Sequence, residues 1–248
     1  MTVEILDVDR LECRFVDHHW SFAEERSAMI ERHWEERRRA NPALYDGLVL
    51  LACRASRETG EDGARILRMS LFKTRFSRFL VWRDLGWPDK SIYNCFSMPA
   101  VRARDGAYLL GEMGPSHSYA GQLYFPCGTP DPSDIVADGR VDLAGSLARE
   151  LAEETGLDAA EARAAATWTV IFDRQIVACV KRLDFDAPSQ ALAEKVKAFL
   201  ANERAPELAD AHMISSPKAM SDARLPAFMS AYLMRALGGA DEIPRNAG

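Results

Sequence analysis

Arg149-Glu150-Leu151-Ala152-Glu153-Glu154-Thr155-Gly156-Leu157 is the stretch from which the rest of the chain is best read. On a helix, residues three or four apart share a face, so Glu150, Glu153 and Glu154 converge. Leu143, Leu147 and Leu151 repeat at steps of four on another face. The segment therefore has an apolar side for a core and an acidic side for something else. Gly156 suits the left-handed position that ends a helix. Three carboxylates held this closely repel one another unless a cation offsets them, and hard oxygen ligands favour Mg²⁺ or Mn²⁺. An exposed Glu-rich helix turn is the plain alternative, since paired glutamates are common on solvated faces.

Outward from this helix the pattern is strand-rich. Gln122 to Pro126 predicts a strand that leads into a Pro126-Cys127-Gly128 turn, and the Pro- and Asp-rich segment from Thr129 to Asp142 reads as loop. Upstream, Cys95–Val101 and Ala107–Gly111 flank Arg104-Asp105-Gly106, a hairpin signal. Downstream, strands are expected over Thr167–Phe172, Gln175–Leu183 and His212–Ile214, and helices over Ser189–Asn202 and about Lys218–Leu237. The N-terminal part predicts a helix over 21–40 that stops at Asn41-Pro42, strands at Leu48–Cys53 and Ala64–Leu71, and a short helix over 74–85.

The nine-residue string matches the second half of the Nudix box at every specified position. With its preceding strand and turn it resembles the loop–helix–loop of the Nudix (MutT-like) hydrolases over about residues 95 to 215. The resemblance implies an α/β/α sandwich with a mixed sheet, here with an N-terminal α+β extension over 1–92 and the Nudix domain over 93–248. It also implies a divalent-metal-dependent enzyme that hydrolyses the diphosphate bond of a nucleoside diphosphate linked to another group, such as a sugar. Carried onto this chain, Glu150, Glu153 and Glu154 would hold Mg²⁺ or Mn²⁺, the Gly128 carbonyl could add a ligand, and Arg149 would brace the helix against the preceding loop. Metal ions in that setting neutralise the diphosphate and activate the attacking water.

The first half of the box departs from the family. A glycine is expected fourteen residues and a glutamate eight residues before the arginine, but those positions are Ile135 and Val141. Gly128 stands twenty-one residues before Arg149, so the loop carries about seven extra residues if that glycine is the equivalent one. The glutamate is chiefly structural in the family, pairing with the arginine, and Asp142 and Asp138 are the nearest acids that could replace it. Many members recruit a further acid from a loop beyond the box. Glu207 is the candidate, with Asp210 second, against the plain alternative of solvated loop acids. His117 and Tyr119 precede the box strand, where they could touch a phosphate or stack on a base. Trp20, Trp34, Trp82 and Trp87 read most simply as packing.

Composition bounds the remaining function classes. The 248 residues, 48% hydrophobic and 27% charged, suit a globular chain with a sizeable core. Lys and Arg total 31 against 37 acids, a net charge of −6, so no global positive field is available for a nucleic-acid polymer. Arg37-Arg38-Arg39 reads as a solvated helix face. The five scattered cysteines form neither a Cys-x-x-Cys pair nor a zinc spacing. No stretch approaches a membrane span and the first residues lack a signal pattern, so a cytoplasmic enzyme is expected, with no membrane partner, a small-molecule substrate and a possible homodimer. The competing expectation is a non-catalytic Nudix-like protein that binds a nucleotide metabolite, suggested by Val141 where the box expects glutamate.

Overall fold

The computed structural model describes residues 3–115, 119–218 and 222–238. Eleven strands and six α-helices are assigned among them: β1 Glu4–Val8, β2 Arg10–Phe15, α1 Ser21–Glu25, α2 Ser27–Ala40, β3 Leu48–Thr59, β4 Arg65–Arg75, α3 Phe76–Asp84, β5 Asn94–Arg102, β6 Tyr108–Met113, β7 Leu123–Tyr124, α4 Leu143–Thr155, β8 Ala162–Ala164, β9 Trp168–Asp173, β10 Ile176–Phe185, α5 Ser189–Asn202, β11 Leu208–Ile214 and α6 Ala227–Gly238. The large sheet runs β1-β9-β10-β5-β6-β11, with β7 beside β6 and β8 beside β10. It is mixed, because β10 pairs parallel with β5 while β1 with β9 and β6 with β11 are antiparallel.

Alternation along β5 shows how the layers form, since successive strand residues point to opposite faces. Ser97 donates its hydroxyl to the Leu143 carbonyl at 2.7 Å, which places α4 on one face. Phe96 meets Phe228 of α6 on the other, with ring centroids 6.1 Å apart. Tyr108 of β6 likewise meets Tyr232 of α6, at 6.1 Å. The fold is thus an α/β/α sandwich with a mixed sheet.

The N-terminal block is joined to this sandwich at several points. Its first strand, β1, pairs with β9 in the large sheet. The rest makes a three-stranded sheet of order β2-β4-β3, with β2 and β4 parallel and β3 and β4 antiparallel. One face of that sheet, through Leu50, Ala52, Leu67, Met69 and Leu71, belongs to the same buried core as β5 and β10. The other face, through Val49, Leu51 and Phe72, packs with the helices in a second core that contains Trp20, Trp82 and Trp87. Trp82 and Trp87 lie edge to face at 4.4 Å, and Trp34 is buried against Phe76, so all four tryptophans are packing residues.

Some elements differ from the sequence expectation. The expected helix over 21–40 is interrupted at Arg26, which leaves α1 and α2 as separate pieces. The strand expected over Gln122–Pro126 shrinks to Leu123–Tyr124, because the chain must leave the sheet to build the turn at Gly128. The last helix starts at Ala227, after Pro226, rather than near Lys218. Arg37 and Arg39 face Asp84 and Glu35 on the surface, as a solvated helix face would. The five cysteines are all free thiols. Among the described residues no helix is long and apolar enough to cross a membrane.

Candidate functional site: an acidic helix beside an aromatic cavity

α4 is built as its sequence predicts. Asp142 caps it, accepting a hydrogen bond from the Gly145 N–H at 3.0 Å, and Leu143, Leu147 and Leu151 are buried beneath it. Gly156 closes it at φ 67°, where a Cβ would lie 2.4 Å from Phe199, so both backbone conformation and close packing require glycine.

The helix presents Glu150 and Glu154 toward the turn at Gly128, whereas Glu153, expected to converge with them, is exposed. Glu154 is only 4% exposed; its Oε1 accepts the Cys127 N–H at 3.0 Å, while Oε2 is buried with no hydrogen-bond partner. Burial, then the charges of Glu150 and Glu207, pushes its carboxyl up to about 9. Glu150 is raised to about 7, mainly by burial, with Arg149 opposing and Glu153 and Glu207 adding to the rise. Gly128 lies so close that a Cβ there would stand 2.4 Å from Glu150 Oε1. Glu150, Glu153, Glu154 and Glu207 line one small cleft of about 150 Å³, which also contains Glu203, an acid that the sequence reading did not single out. Its place on the rim comes from the end of α5, a tertiary neighbour with no signal in the sequence spacing.

Among the described residues no three His, Cys, Asp or Glu side chains stand together as a complete ligand set. The residues nevertheless fit a hard divalent ion. Mg²⁺ keeps several waters and is usually held by one or two carboxylates together with substrate phosphates. The buried, unpartnered Oε2 of Glu154, the raised carboxyl of Glu150 beside it and the glycine that leaves room for it are what such an ion would require.

The brace on Arg149 comes from an unexpected residue. Arg149 donates to Asp134 Oδ1 at 2.6 Å and Oδ2 at 3.3 Å, and to Glu150 Oε1 at 3.3 Å. Asp134, 4% exposed, also accepts the Asp131 N–H at 3.0 Å as part of a capped 3-10 turn over Pro132–Asp134. The two acids expected in this role are committed elsewhere: Asp142 caps α4, and Asp138 pairs with Arg140 at 2.6 Å. Val141, at the position expected for the glutamate, is a buried core residue.

The extra residues explain the displacement. Asp134 is fifteen residues before Arg149 rather than eight, and Gly128 twenty-one rather than fourteen, so both are offset by the same seven. The spacing from Gly128 to Asp134 is that of the family, with aspartate for glutamate, and that spacing was the signal available in the sequence. The seven residues Ile135–Val141 form a small hairpin closed at its base by an Ile135–Val141 bridge and an Asp142 N–H bond to the Asp134 carbonyl at 2.8 Å. This hairpin docks on the free edge of β2. The Phe15 N–H donates to the Gly139 carbonyl and the Val141 N–H to the Cys13 carbonyl, both at 2.9 Å. An exposed strand edge is thereby covered.

Beside the acidic cleft is a second cavity of about 270 Å³. Phe76 and Phe79 of the N-terminal block, Phe96, Tyr119, Tyr124 and Phe228 supply its rings, Gly128 and Thr129 line it as well, and Glu150 and Glu207 are shared with the cleft. Tyr119 lies under the Arg83 guanidinium at 4.6 Å and 5.6 Å from the Tyr124 ring. His117 lies outside the described residues. Asp210 pairs with Lys197 at 3.0 Å and lines neither cavity.

No family model matches the chain, and no curated protein matches it. Solved structures do resemble it. A Nudix hydrolase from M. smegmatis has 16% identity and a TM-score of 0.37, covering 62% of this chain and 88% of that one. The MutT protein from Methanosarcina mazei Go1 has 17% identity and a TM-score of 0.38, with 61% and 96% covered. A bifunctional NMN adenylyltransferase/ADP ribose pyrophosphatase from Francisella tularensis, solved with AMP and a Mn ion, has 16% identity and a TM-score of 0.40, with 65% and 46% covered. At these values the likeness decides nothing about activity, which must be argued from the residues. Residues 149–157, which match the second half of the Nudix box, lie on a helix of an α/β/α sandwich, and Gly128 and Asp134 are brought beside that helix around an inserted hairpin.

Proposed function

We propose that the protein is a divalent-metal-dependent hydrolase of the diphosphate bond in a nucleoside diphosphate linked to another group. The observation that carries this reading is the half-satisfied carboxylate of Glu154, buried beside Glu150 and Gly128 and open to an additional positive partner. A purely structural acidic helix would leave its glutamates in water, not in a cleft where burial raises two of them.

In this reading Glu150, Glu153 and Glu154 hold Mg²⁺ or Mn²⁺, with the Gly128 carbonyl available as a further oxygen. The metal would supply charge neutralisation of the diphosphate and a more acidic attacking water. Arg149, fixed by Asp134, keeps Glu150 in position. Glu207, which lines both cavities, would take the proton from the attacking water. Tyr119 and its aromatic neighbours receive the organic part of the substrate. The non-catalytic alternative loses its motive, because Asp134 fills the role left open by Val141.

Purified protein with Mg²⁺ or Mn²⁺ should release a nucleoside monophosphate from a panel of nucleotide sugars, dinucleotides and coenzymes. Glu153→Gln should abolish that release. Absence of turnover across the panel with either metal would defeat the reading.

A further inference from the structure

One end of the large sheet carries a cluster of arginines that the proposed hydrolysis does not use. In the register of three neighbouring strands, Asp184 of β10 stands opposite Arg102 of β5 on one side and Arg163 of β8 on the other. Arg182, two residues earlier on β10, shares its face. All three guanidiniums address the same carboxylate. Arg102 Nε donates to Asp184 Oδ1 at 2.7 Å, Arg182 Nε lies 3.2 Å from that oxygen, and a terminal nitrogen of Arg163 lies 3.6 Å from Oδ2. Arg104, just beyond β5, faces Asp186 at 3.3 Å in an exposed pair. Arg102, Arg104 and Arg163 line a cavity of about 330 Å³ together with the two aspartates. β5 runs from Asn94, which lines the aromatic cavity, to Arg102, so at about 3.3 Å per residue the cluster lies roughly 26 Å from that cavity.

Four guanidiniums face two carboxylates here, a local excess of two positive charges in a chain whose net charge is −6. One carboxylate among three guanidiniums does not neutralise them, and like charges on neighbouring strands repel. Donors are also left over. The terminal nitrogens of Arg102, Arg163 and Arg182 make no hydrogen bond among the described residues, and the buried Arg182 Nε has none either. A guanidinium held by its Nε presents its two terminal nitrogens as a fork that matches two oxygens of a phosphate. We infer that this cluster binds a phosphate dianion, free or as the end group of a small phosphomonoester, with Arg102 and Arg163 as its principal arms, Arg104 as a third, and Asp184 holding Arg102 in place. Asp184, 14% exposed against 33% for Arg102 and 83% for Arg163, is the least exposed of the three, so the arginines stand between it and an arriving anion. A dianion meets the excess charge, whereas a carboxylate would leave half of it, and a nucleic-acid polymer would extend from the patch onto a chain of its own sign. The cavity is near the lower limit of ligand pockets, roughly 300 Å³, which suits a phosphate with a small organic group.

The test is binding of inorganic phosphate and of ribose 5-phosphate to the full chain, by calorimetry at about pH 8 and constant ionic strength, with acetate as the monoanion control. A chelator is present so that no metal in the acidic cleft takes up phosphate. Phosphate should saturate a single site and bind at least about tenfold more tightly than acetate. Arg163→Gln, at a highly exposed side chain, should fold normally and weaken phosphate binding about tenfold, and Arg104→Gln about threefold. Arg39→Gln, in the surface pair with Glu35 on α2, should change it less than about twofold. Ribose 5-phosphate binding as tightly as inorganic phosphate makes the ligand a phosphomonoester, and its exclusion makes the ligand free phosphate; both results keep the site. Phosphate bound no better than acetate overturns the inference, and so does an equal response of Arg163→Gln and Arg39→Gln. None of these readouts involves turnover, so failure of the hydrolase reading would leave the anion site standing.

Discussion

Asp134 and Glu154 are two carboxylates with the same 4% exposure, and they sit in opposite circumstances. Asp134 accepts two bonds from the Arg149 guanidinium and one from the Asp131 N–H, so its charge is fully met by the protein. Glu154 receives a single backbone N–H, its other oxygen is sealed without a partner, and its neighbours are further glutamates. Burial alone therefore says little about an acid. The partners distinguish a carboxylate whose charge the protein meets from one whose charge it leaves unmet.

The largest expected effect breaks the contrast on the Glu154 side. Glu154→Gln should lower metal-dependent turnover by about a hundredfold or more, while metal-free protein unfolds at the same or a higher temperature, because a neutral amide avoids the cost of keeping this buried carboxyl protonated above its ordinary value. A large loss of stability together with activity would make Glu154 structural. Asp134→Ala should show the reverse ordering, a loss of about 2 kcal/mol in denaturant unfolding with a smaller, roughly tenfold, fall in turnover. That figure is set below the usual cost of breaking a buried pair because Arg149 keeps about a third of its side chain in solvent.

Val141→Glu sharpens the comparison by restoring the residue that a linear reading of the box expects. Because Val141 is buried at the base of the docked hairpin, the change should cost about 2–3 kcal/mol and give no gain in turnover. An active, stable variant would show that the brace can be supplied from that position.

A pH titration provides a further check. Glu150 and Glu154 are raised to about 7 and about 9, so the folded metal-free protein holds protons that the unfolded chain releases near pH 4.5. Their contribution to stability is fully present below that ordinary value and is lost as pH rises through about 7 and then 9. Thermal unfolding in a chelator should fall in midpoint from pH 6 to 9, and Mg²⁺ should reduce the fall. A midpoint independent of both would remove the electrostatic basis of the cleft. The smallest effect is at the hairpin tip, where Asp138→Ala disturbs a solvent-exposed pair with Arg140 and should leave the unfolding midpoint almost unchanged.

The two carboxylates also differ in how far the sequence revealed them. Glu154 belongs to a contiguous helix, and helical spacing, cap and apolar stripe are local properties, so α4 and its acidic face were legible residue by residue. The β5–β6 hairpin and α5 were legible for the same reason. Asp134 offered only its spacing from Gly128, because its partner is fifteen residues away across a hairpin whose docking on β2 is a tertiary event. Trp20, Trp34, Trp82 and Trp87, read as packing, are packing.

The hairpin at Ile135–Val141 returns the chain to the point where it left, since the bridge at its base and the Asp142 bond to Asp134 join the two ends. To the brace, the detour has no length. Residues could be added or removed at its tip, around Asp138 and Gly139, while Gly128, Asp134 and Arg149 keep their distances. The box in this protein is accordingly a pattern of positions in space, and a search that counts residues along the chain sees it as broken where a search that measures separations would find it whole.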